Sequence, residues 1–216
     1  MERSETSEIS EKRKMNPHIA AKIAAVEIYE NVSAILYDGK KTHAASVFAA
    51  LGSLAGHACL QEALLAQQNS GDVLITVSDV AGRFYYYGEP VDRPLLQDRL
   101  SVWALLHAAM QKYQDAAMPD TAAIARHVTQ TIGTAHFGIP RLPLGEKLHL
   151  PPLESLQLWQ PLKAGILDRL HVPVADWHLA YALAIQKMLA QEMLPPSHAA
   201  LIVMECAVPM SKTADV

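Results

Sequence analysis

The chain contains little cysteine and little charge of either sign. Its two cysteines among 216 residues, Cys59 and Cys206, lie inside apolar segments and outside any zinc-type spacing. This usage predicts reduced, buried thiols in a cytosolic protein. We also expect no metal site and no cofactor. The 22 acidic and 18 basic residues give a net charge of −4 without a large basic block. We therefore expect no nucleic-acid partner, because such partners require a basic surface.

Sequence signatures of several enzyme classes are also missing. The chain has no glycine-rich phosphate loop ending in GKS or GKT, no dinucleotide-binding fingerprint and no HExxH helix. Ser53 lies in the segment GSLAG, but a nucleophile elbow needs glycine two residues on either side of its serine and a preceding strand. We therefore expect no hydrolase chemistry at Ser53.

No secretory signal or membrane span is predicted. The N-terminal residues MERSETSEISEKRK are polar and mixed in charge, unlike the basic start and apolar stretch of a signal sequence. The uncharged run 44–61 has the length of a short membrane span, but alanine, glycine and serine make up much of it. The sequence predicts a buried helix at this position and a soluble, cytoplasmic protein without a membrane partner.

Hydrophobic residues make up 50% of the chain, and its length suffices for one sizeable core. We expect a charged N-terminal lead at 1–15 and a single domain at 16–216. Such an apolar composition is high for a lone monomer, and the predicted helices lack a wholly polar face. Both features predict a homo-oligomer, most simply a homodimer.

The first two long helices are predicted from their apolar patterns. Residues 17–37 carry apolar side chains on both sides, which is typical of a central, buried helix. Thr42 can cap a second helix that reaches about Gln67. Small residues recur on this helix at spacings of three and four, at Ala45, Ala49, Gly52, Gly56, Cys59 and Ala63. The stripe predicts that another helix approaches closely.

The rest of the chain predicts further helices and a small sheet. Two β-rich runs at about 72–88 flank a short turn, which indicates a hairpin, and the apolar segment at about 199–208 is predicted to be a third strand. Further helices are expected at 94–114, at 120–132 with Asp120 as N-cap, and at 176–193, with two short pieces between 151 and 170 broken at Pro161. The predicted fold class is α+β, predominantly α-helical, with a small antiparallel sheet.

The segment 131–152, TIGTAHFGIPRLPLGEKLHLPP, is a long stretch without periodicity, and such loops are usually functional or disordered. Its four prolines stiffen the backbone, which favours an ordered site. His136 can act as an acid or base near neutral pH, and Arg141 can clamp an anion. Lys147 and His149 can complete a cationic pocket. We therefore predict a ligand-binding site at these four residues.

Each candidate site also has a structural interpretation. The loop can be a proline-braced connection that packs its apolar residues onto the core and leaves its charges in water. His57 could form an acid-base site with Glu27 or Glu30 of the preceding helix, because burial shifts the pKa of such groups; the alternative is a core histidine and solvated carboxylates. The run from Tyr85 to Tyr87 could stack an aromatic ligand, although aromatic strands more often cover a helix.

Two segments, TAHFGIPRLP at 134–143 and ALIVMECAVPMSK at 200–212, resemble a family of functionally uncharacterised bacterial proteins. The resemblance is confined to the C-terminal part of the chain, implies a bacterial source and supplies no activity. The function is unknown from sequence, and we favour a non-catalytic, homo-oligomeric protein that binds a small anionic or aromatic ligand. The alternatives are an enzyme that uses His136 and Arg141, or an interaction module that exposes the Tyr85 to Tyr87 strand.

Overall fold

The computed structural model describes residues 18–68, 73–114 and 116–214, so the predicted lead at 1–15 lies outside the described residues. Helices account for 61% of the structure and a two-stranded antiparallel sheet accompanies them, which confirms the α+β, predominantly helical class. The elements are α1 (Ile19–Ile35), α2 (Ala44–Gln67), β1 (Ile75–Ser78), β2 (Phe84–Tyr87), α3 (Glu89–Asp92), α4 (Val102–Met110), α5 (Thr121–Thr131), α6 (Pro152–Ser155), α7 (Trp159–Leu162), α8 (Trp177–Leu189) and α9 (Pro196–Met210).

Helix α2 lies at the centre of the fold, and α8 and α9 pack against it. Its length and composition would allow it to cross a membrane, but 94% of its most apolar window is buried inside the protein. Such burial is that of a core helix in a soluble protein, as predicted. The helix begins one residue later than expected, because the ring of His43, and not Thr42, accepts a hydrogen bond from the backbone N–H of Ser46.

The close approach predicted at the small-residue stripe is confirmed, and the partner is α9. A Cβ atom at Gly52 would lie 2.6 Å from the carbonyl oxygen of Val203, and one at Gly56 would lie 2.0 Å from that of Ala207. Both distances are far shorter than ordinary van der Waals contact. Because glycine has no Cβ at these two positions, the backbone of α9 can pack in direct contact with the backbone of α2.

The predicted strand at 199–208 is wrong, because these residues belong to α9. Pro196 occupies the start of the helix, where the missing N–H needs no partner. The β-branched residues Ile202 and Val203 favoured a strand, but α9 is buried on nearly every side and so lacks amphipathic periodicity. Packing against α2 outweighs their weak β preference.

The hairpin is confirmed, with shorter strands than the sequence suggested. β1 and β2 pair antiparallel, with Ile75 opposite Tyr87. The outer edge of β2 is covered by the end of the chain, where the N–H of Tyr86 donates to the carbonyl of Lys212 at 2.8 Å. The C-terminal segment thus meets the sheet through a short contact and adds no third strand.

The helix predicted at 94–114 is interrupted. α3 continues into a π-helical turn at Arg93–Gln97, and the chain then leaves the helix until the hydroxyl of Ser101 caps α4 by accepting a backbone N–H at 3.1 Å. Single π-helical turns are rare and frequently occur at functional sites. This interruption places Arg93 and Asp98 beside the C-terminal part of α2.

Two other helices match their predictions more closely. α5 follows Asp120, whose carboxylate accepts the N–H of Ala123 at 3.0 Å, as expected for an N-cap. α8 ends at Leu189, earlier than predicted. Between 152 and 168 the chain forms consecutive short α-, 3-10 and π-helical turns, and Pro161 lies within α7 instead of separating two pieces.

Candidate functional site

The loop between α5 and α6 carries the four predicted ligand-binding residues and is only partly anchored by its apolar side chains. Phe137 is 5% exposed and packs edge-on against Tyr85, with ring centroids 4.9 Å apart. Ile139 and Leu144 are exposed, so not all apolar residues of the loop pack onto the core as its structural interpretation expected. Leu142 and Leu148 are half-buried and pack against the core, so the apolar anchors of the loop are Phe137 and these two leucines.

Arg141 is held by a carboxylate of α9. Its Nε and a terminal nitrogen donate to Oε1 of Glu205 at 2.9 and 2.6 Å, and its backbone N–H donates to Oε2 at 3.1 Å. The Glu205 side chain is 3% exposed, so the pair fixes the loop to the core. The guanidinium fork that would clamp an external anion already binds a carboxylate.

The other three predicted residues lie apart from this pair. The ring of His149 stacks on that of His43 with centroids 3.7 Å apart, and its backbone N–H donates to Ser46 Oγ at 2.8 Å. His136 and Lys147 are exposed. Within the described residues, no hydrogen bond, ion pair or ring contact joins any two of the four. Their role in ligand binding stays a prediction.

The possible pairing of His57 with carboxylates of α1 is replaced by other contacts. Glu27 accepts a hydrogen bond from Arg169. His57 is fully buried, lies within hydrogen-bond distance of the Gln61 amide and packs edge-on against Trp159 with centroids 5.0 Å apart. Burial lowers the pKa of His57 to about 4, so it is a neutral core residue.

A cavity of about 410 Å³ opens between the C-terminal part of α2, the start of α8 and the segment 89–98. We call it the α2/α8 cavity. Its size is typical of small-molecule sites. Its apolar walls are formed by Ala63, Leu65, Ala66, Pro90, Pro94, Val174 and Ala175. Its charged or titratable residues are Glu62, Arg93, Asp98 and His178.

Glu62 and His178 form the buried polar part of this cavity. Oε1 of Glu62 accepts the backbone N–H of His178 at 2.7 Å, and the ring Nδ1 lies 2.9 Å from Oε1 and 2.8 Å from Oε2. Each side chain is 9% exposed. Buried charges are tolerated when they are paired and hydrogen-bonded, so this pair ties α2 to the first turn of α8.

The titration of the pair is perturbed by its surroundings. Burial raises the pKa of Glu62, and the hydrogen bonds from His178 offset part of that effect. Burial by itself would lower the pKa of His178, but the hydrogen bond and negative charge of Glu62, with a further hydrogen bond to the backbone of Leu100, raise it above its usual value. Perturbed groups in a cavity are typical of functional sites.

Arg93 and Asp98 lie at the open end of the cavity, with side chains 55% and 49% exposed. Arg93 Nε is 3.6 Å from Asp98 Oδ1, which is longer than a hydrogen bond. The terminal nitrogens of Arg93 form no hydrogen bond or ion pair with the described part of the chain. The guanidinium fork is therefore available to an anion.

A second cavity, of about 270 Å³, lies against the opposite side of the segment 89–97. Its charged residues, Asp92 and Lys212, are bonded to each other at 2.9 Å, and the Lys212 side chain is 7% exposed. Because these charges satisfy one another, the α2/α8 cavity is the better candidate for ligand binding.

The described residues contain no thiol with a lowered pKa and no cluster of metal-ligating side chains. Cys59 and Cys206 are buried and unpaired, as predicted, and burial raises the pKa of both thiols. Reactive cysteines need the opposite shift. Among residues 18–68, 73–114 and 116–214, no three His, Cys, Asp or Glu side chains are grouped to hold a metal ion.

Sequence reasoning did not identify Glu62 and His178, which are 116 positions apart. One signal was available, because Glu62 is the single charged residue in the sequence of α2. A lone charge on an otherwise apolar helix needs a partner once it is buried. Nothing in the sequence distinguishes His178 from the other histidines as that partner.

Comparison of the chain with protein-family models, curated proteins and solved structures gives no match.

Proposed function

We propose that this is a soluble, cytoplasmic bacterial protein that binds a small organic molecule in the α2/α8 cavity without transforming it. The ligand has an apolar body and an anionic group. The observation that carries this proposal is the combination of apolar walls, a buried Glu62–His178 pair and an exposed, loosely paired Arg93 in one cavity. Apolar surfaces with a few well-placed polar groups are typical of ligand sites.

Arg93 supports an anionic ligand. Its guanidinium is more than half exposed and its contact with Asp98 is too long for a hydrogen bond. Binding of a carboxylate or phosphate would give it two charge-assisted hydrogen bonds that it lacks in the free protein. Arg141 offers no such gain, because Glu205 already satisfies it.

Binding without catalysis fits the environment of His178. Its ring is engaged by both oxygens of Glu62 and by the backbone of Leu100, which leaves little capacity to exchange a proton with a ligand. Among the described residues that line the cavity, no serine, threonine, cysteine, lysine or tyrosine offers a nucleophile. The perturbed pKa of Glu62 still favours an enzyme as the second candidate.

The test is a calorimetric titration with hexanoate, which combines an aliphatic body with a carboxylate. Ala66→Trp should abolish binding, because this exposed helix position lines the cavity and tolerates a large side chain without disturbing the core. Ala122→Trp, at an exposed position of α5, is the matched control and should bind like the parent. Absence of saturable binding to the parent, or equal binding by both variants, contradicts the proposal.

We also propose that the protein is a homo-oligomer joined through its hairpin. β1 carries no charge, and its residues Ile75 and Val77 are 59% and 43% exposed; Val73, just before it, is 74% exposed. On the partner strand β2, in contrast, Tyr85 is only 1% exposed. Uncharged, exposed edge strands pair readily with another strand. Light scattering should give a mass above 23.6 kDa for the parent. The Val77→Lys variant should give the monomer mass of 23.6 kDa. A parent of 23.6 kDa at micromolar concentration contradicts the proposal.

A further inference from the structure

The charged groups of the α2/α8 cavity balance one another. The cavity is lined by two carboxylates, those of Glu62 and Asp98, and by the guanidinium of Arg93 and the ring of His178, whose contact with Glu62 favours the protonated form. A bound ligand displaces water from the cavity. If the ligand carries only one charge, one of the charged side chains then loses its water without gaining an oppositely charged partner. A ligand that carries both signs of charge preserves the balance.

The two pairs differ in how tightly they are closed. Glu62 and His178 are joined by three contacts of 2.7 to 2.9 Å. Arg93 and Asp98 approach only to 3.6 Å through one nitrogen and one oxygen. The open pair therefore offers an anion site and a cation site side by side at the mouth of the cavity.

We infer that the ligand is an α-amino acid with an aliphatic side chain, bound by its carboxylate at Arg93 and by its ammonium group at Asp98. This inference rests on the proposed function, since it assigns a chemical class to the ligand of the same cavity. In an α-amino acid one carbon atom separates the two charged groups, so both can reach side chains that are already neighbours. Each gains charge-assisted hydrogen bonds on binding.

The walls of the cavity select the side chain. Leu65, Pro94 and Val174 present aliphatic surface, and none of the described lining residues is a phenylalanine, tyrosine or tryptophan on which an aromatic ring could stack. A straight or branched aliphatic side chain can contact these walls while the charged end stays at the mouth. This geometry favours an aliphatic amino acid over the aromatic ligand considered from the sequence.

The test compares three probes that differ only in their charged groups. L-norleucine carries both, hexanoate lacks the ammonium group and pentylamine lacks the carboxylate. Calorimetric titration of the full-length protein should show norleucine binding about 10-fold or more tightly than either singly charged probe, the effect of one charge-assisted hydrogen bond.

Variants at the mouth separate the two contacts. Arg93→Gln should weaken norleucine and hexanoate together. Asp98→Asn should weaken norleucine and leave hexanoate unchanged or stronger, because it removes a carboxylate near the anion site. Arg99→Gln, at an exposed neighbour that does not line the cavity, should change neither affinity.

The outcomes distinguish this inference from the proposed function. Hexanoate that binds as tightly as norleucine, or an Asp98→Asn variant with unchanged norleucine affinity, overturns the amino-acid inference and leaves a site for organic anions. Preference for pentylamine overturns the inference and the anionic contact at Arg93. No saturable binding of any probe overturns both proposals.

Discussion

Replacement of Gly56 by alanine tests how closely α9 lies against α2. An added Cβ would be 2.0 Å from the carbonyl oxygen of Ala207 and 2.7 Å from its carbonyl carbon. Since optimal separations between carbon atoms are about 3.5 to 4.0 Å, the helices would have to move apart by roughly 1 Å or more. The obstacle is backbone, so a change of side-chain rotamer cannot relieve it.

The cost can be set against the usual effect of this substitution. Alanine is favoured over glycine inside a helix by about 1 kcal/mol, whereas overpacking of a core costs about 1 to 3 kcal/mol and sometimes more. For Gly56→Ala we expect an overpacking cost in the upper part of that range, which leaves a net loss of about 2 kcal/mol in the free energy of unfolding once the helix preference of alanine is subtracted. In a protein of this size that lowers Tm by about 4 to 8 °C.

Thermal unfolding monitored by circular dichroism measures the effect, and two other glycines calibrate it. Gly52→Ala should cost less, because its Cβ would lie 2.6 Å from the nearest atom, and Gly165→Ala should be neutral or stabilising, because nothing lies within 4 Å of its added Cβ. If Gly56→Ala melts at the temperature of the parent, or falls no further than Gly165→Ala, the contact between α2 and α9 has been misjudged.

Three further predictions concern buried titratable groups. Because burial lowers the pKa of His57 from 6.5 to about 4, the unfolded chain binds protons more readily than the folded protein between these pH values. The free energy of unfolding, measured by urea unfolding, should therefore fall by up to about 3 kcal/mol as the pH drops from 6.5 to about 4. The variant His57→Phe should flatten this pH dependence. Cys59 and Cys206 should react with a thiol reagent only after denaturant is added, and rapid labelling of the native protein would refute their burial. Arg141→Ala should lower the free energy of unfolding by about 1 to 3 kcal/mol, because it leaves the buried Glu205 carboxylate without its charged partner; an unchanged urea midpoint would show that the pair contributes nothing.

The sequence predicted those parts of the fold that carry a local signal. The stripe through Gly52 and Gly56 indicated a close helix partner, and Asp120 marked the start of α5. Sequence prediction failed where burial removes the amphipathic pattern of a helix. Because α9 is enclosed on nearly every side, its residues show no helical period, and a strand was predicted instead. The break before Ser101 was missed because no glycine or proline marks it between Leu95 and Ser101.

The candidate site could not be assembled from sequence for a different reason. Glu62 lies on α2 and His178 on α8, and they meet only because both helices pack around the same core. The composition of the loop at 131–152 predicted a ligand site there, yet Arg141 of this loop is bound to Glu205 of α9. Local composition indicates which residues carry charge and not which of those charges is already satisfied.

Binding of small organic anions in the α2/α8 cavity can be followed residue by residue in a titration of the ¹⁵N-labelled protein with hexanoate. Amide signals of Ala63, Arg93 and His178 should move together and saturate with one affinity, while those of Arg141 and His149 stay in place. Saturable shifts confined to the loop that contains Arg141 and His149, or no saturable shift anywhere, would show that the α2/α8 cavity does not bind such anions.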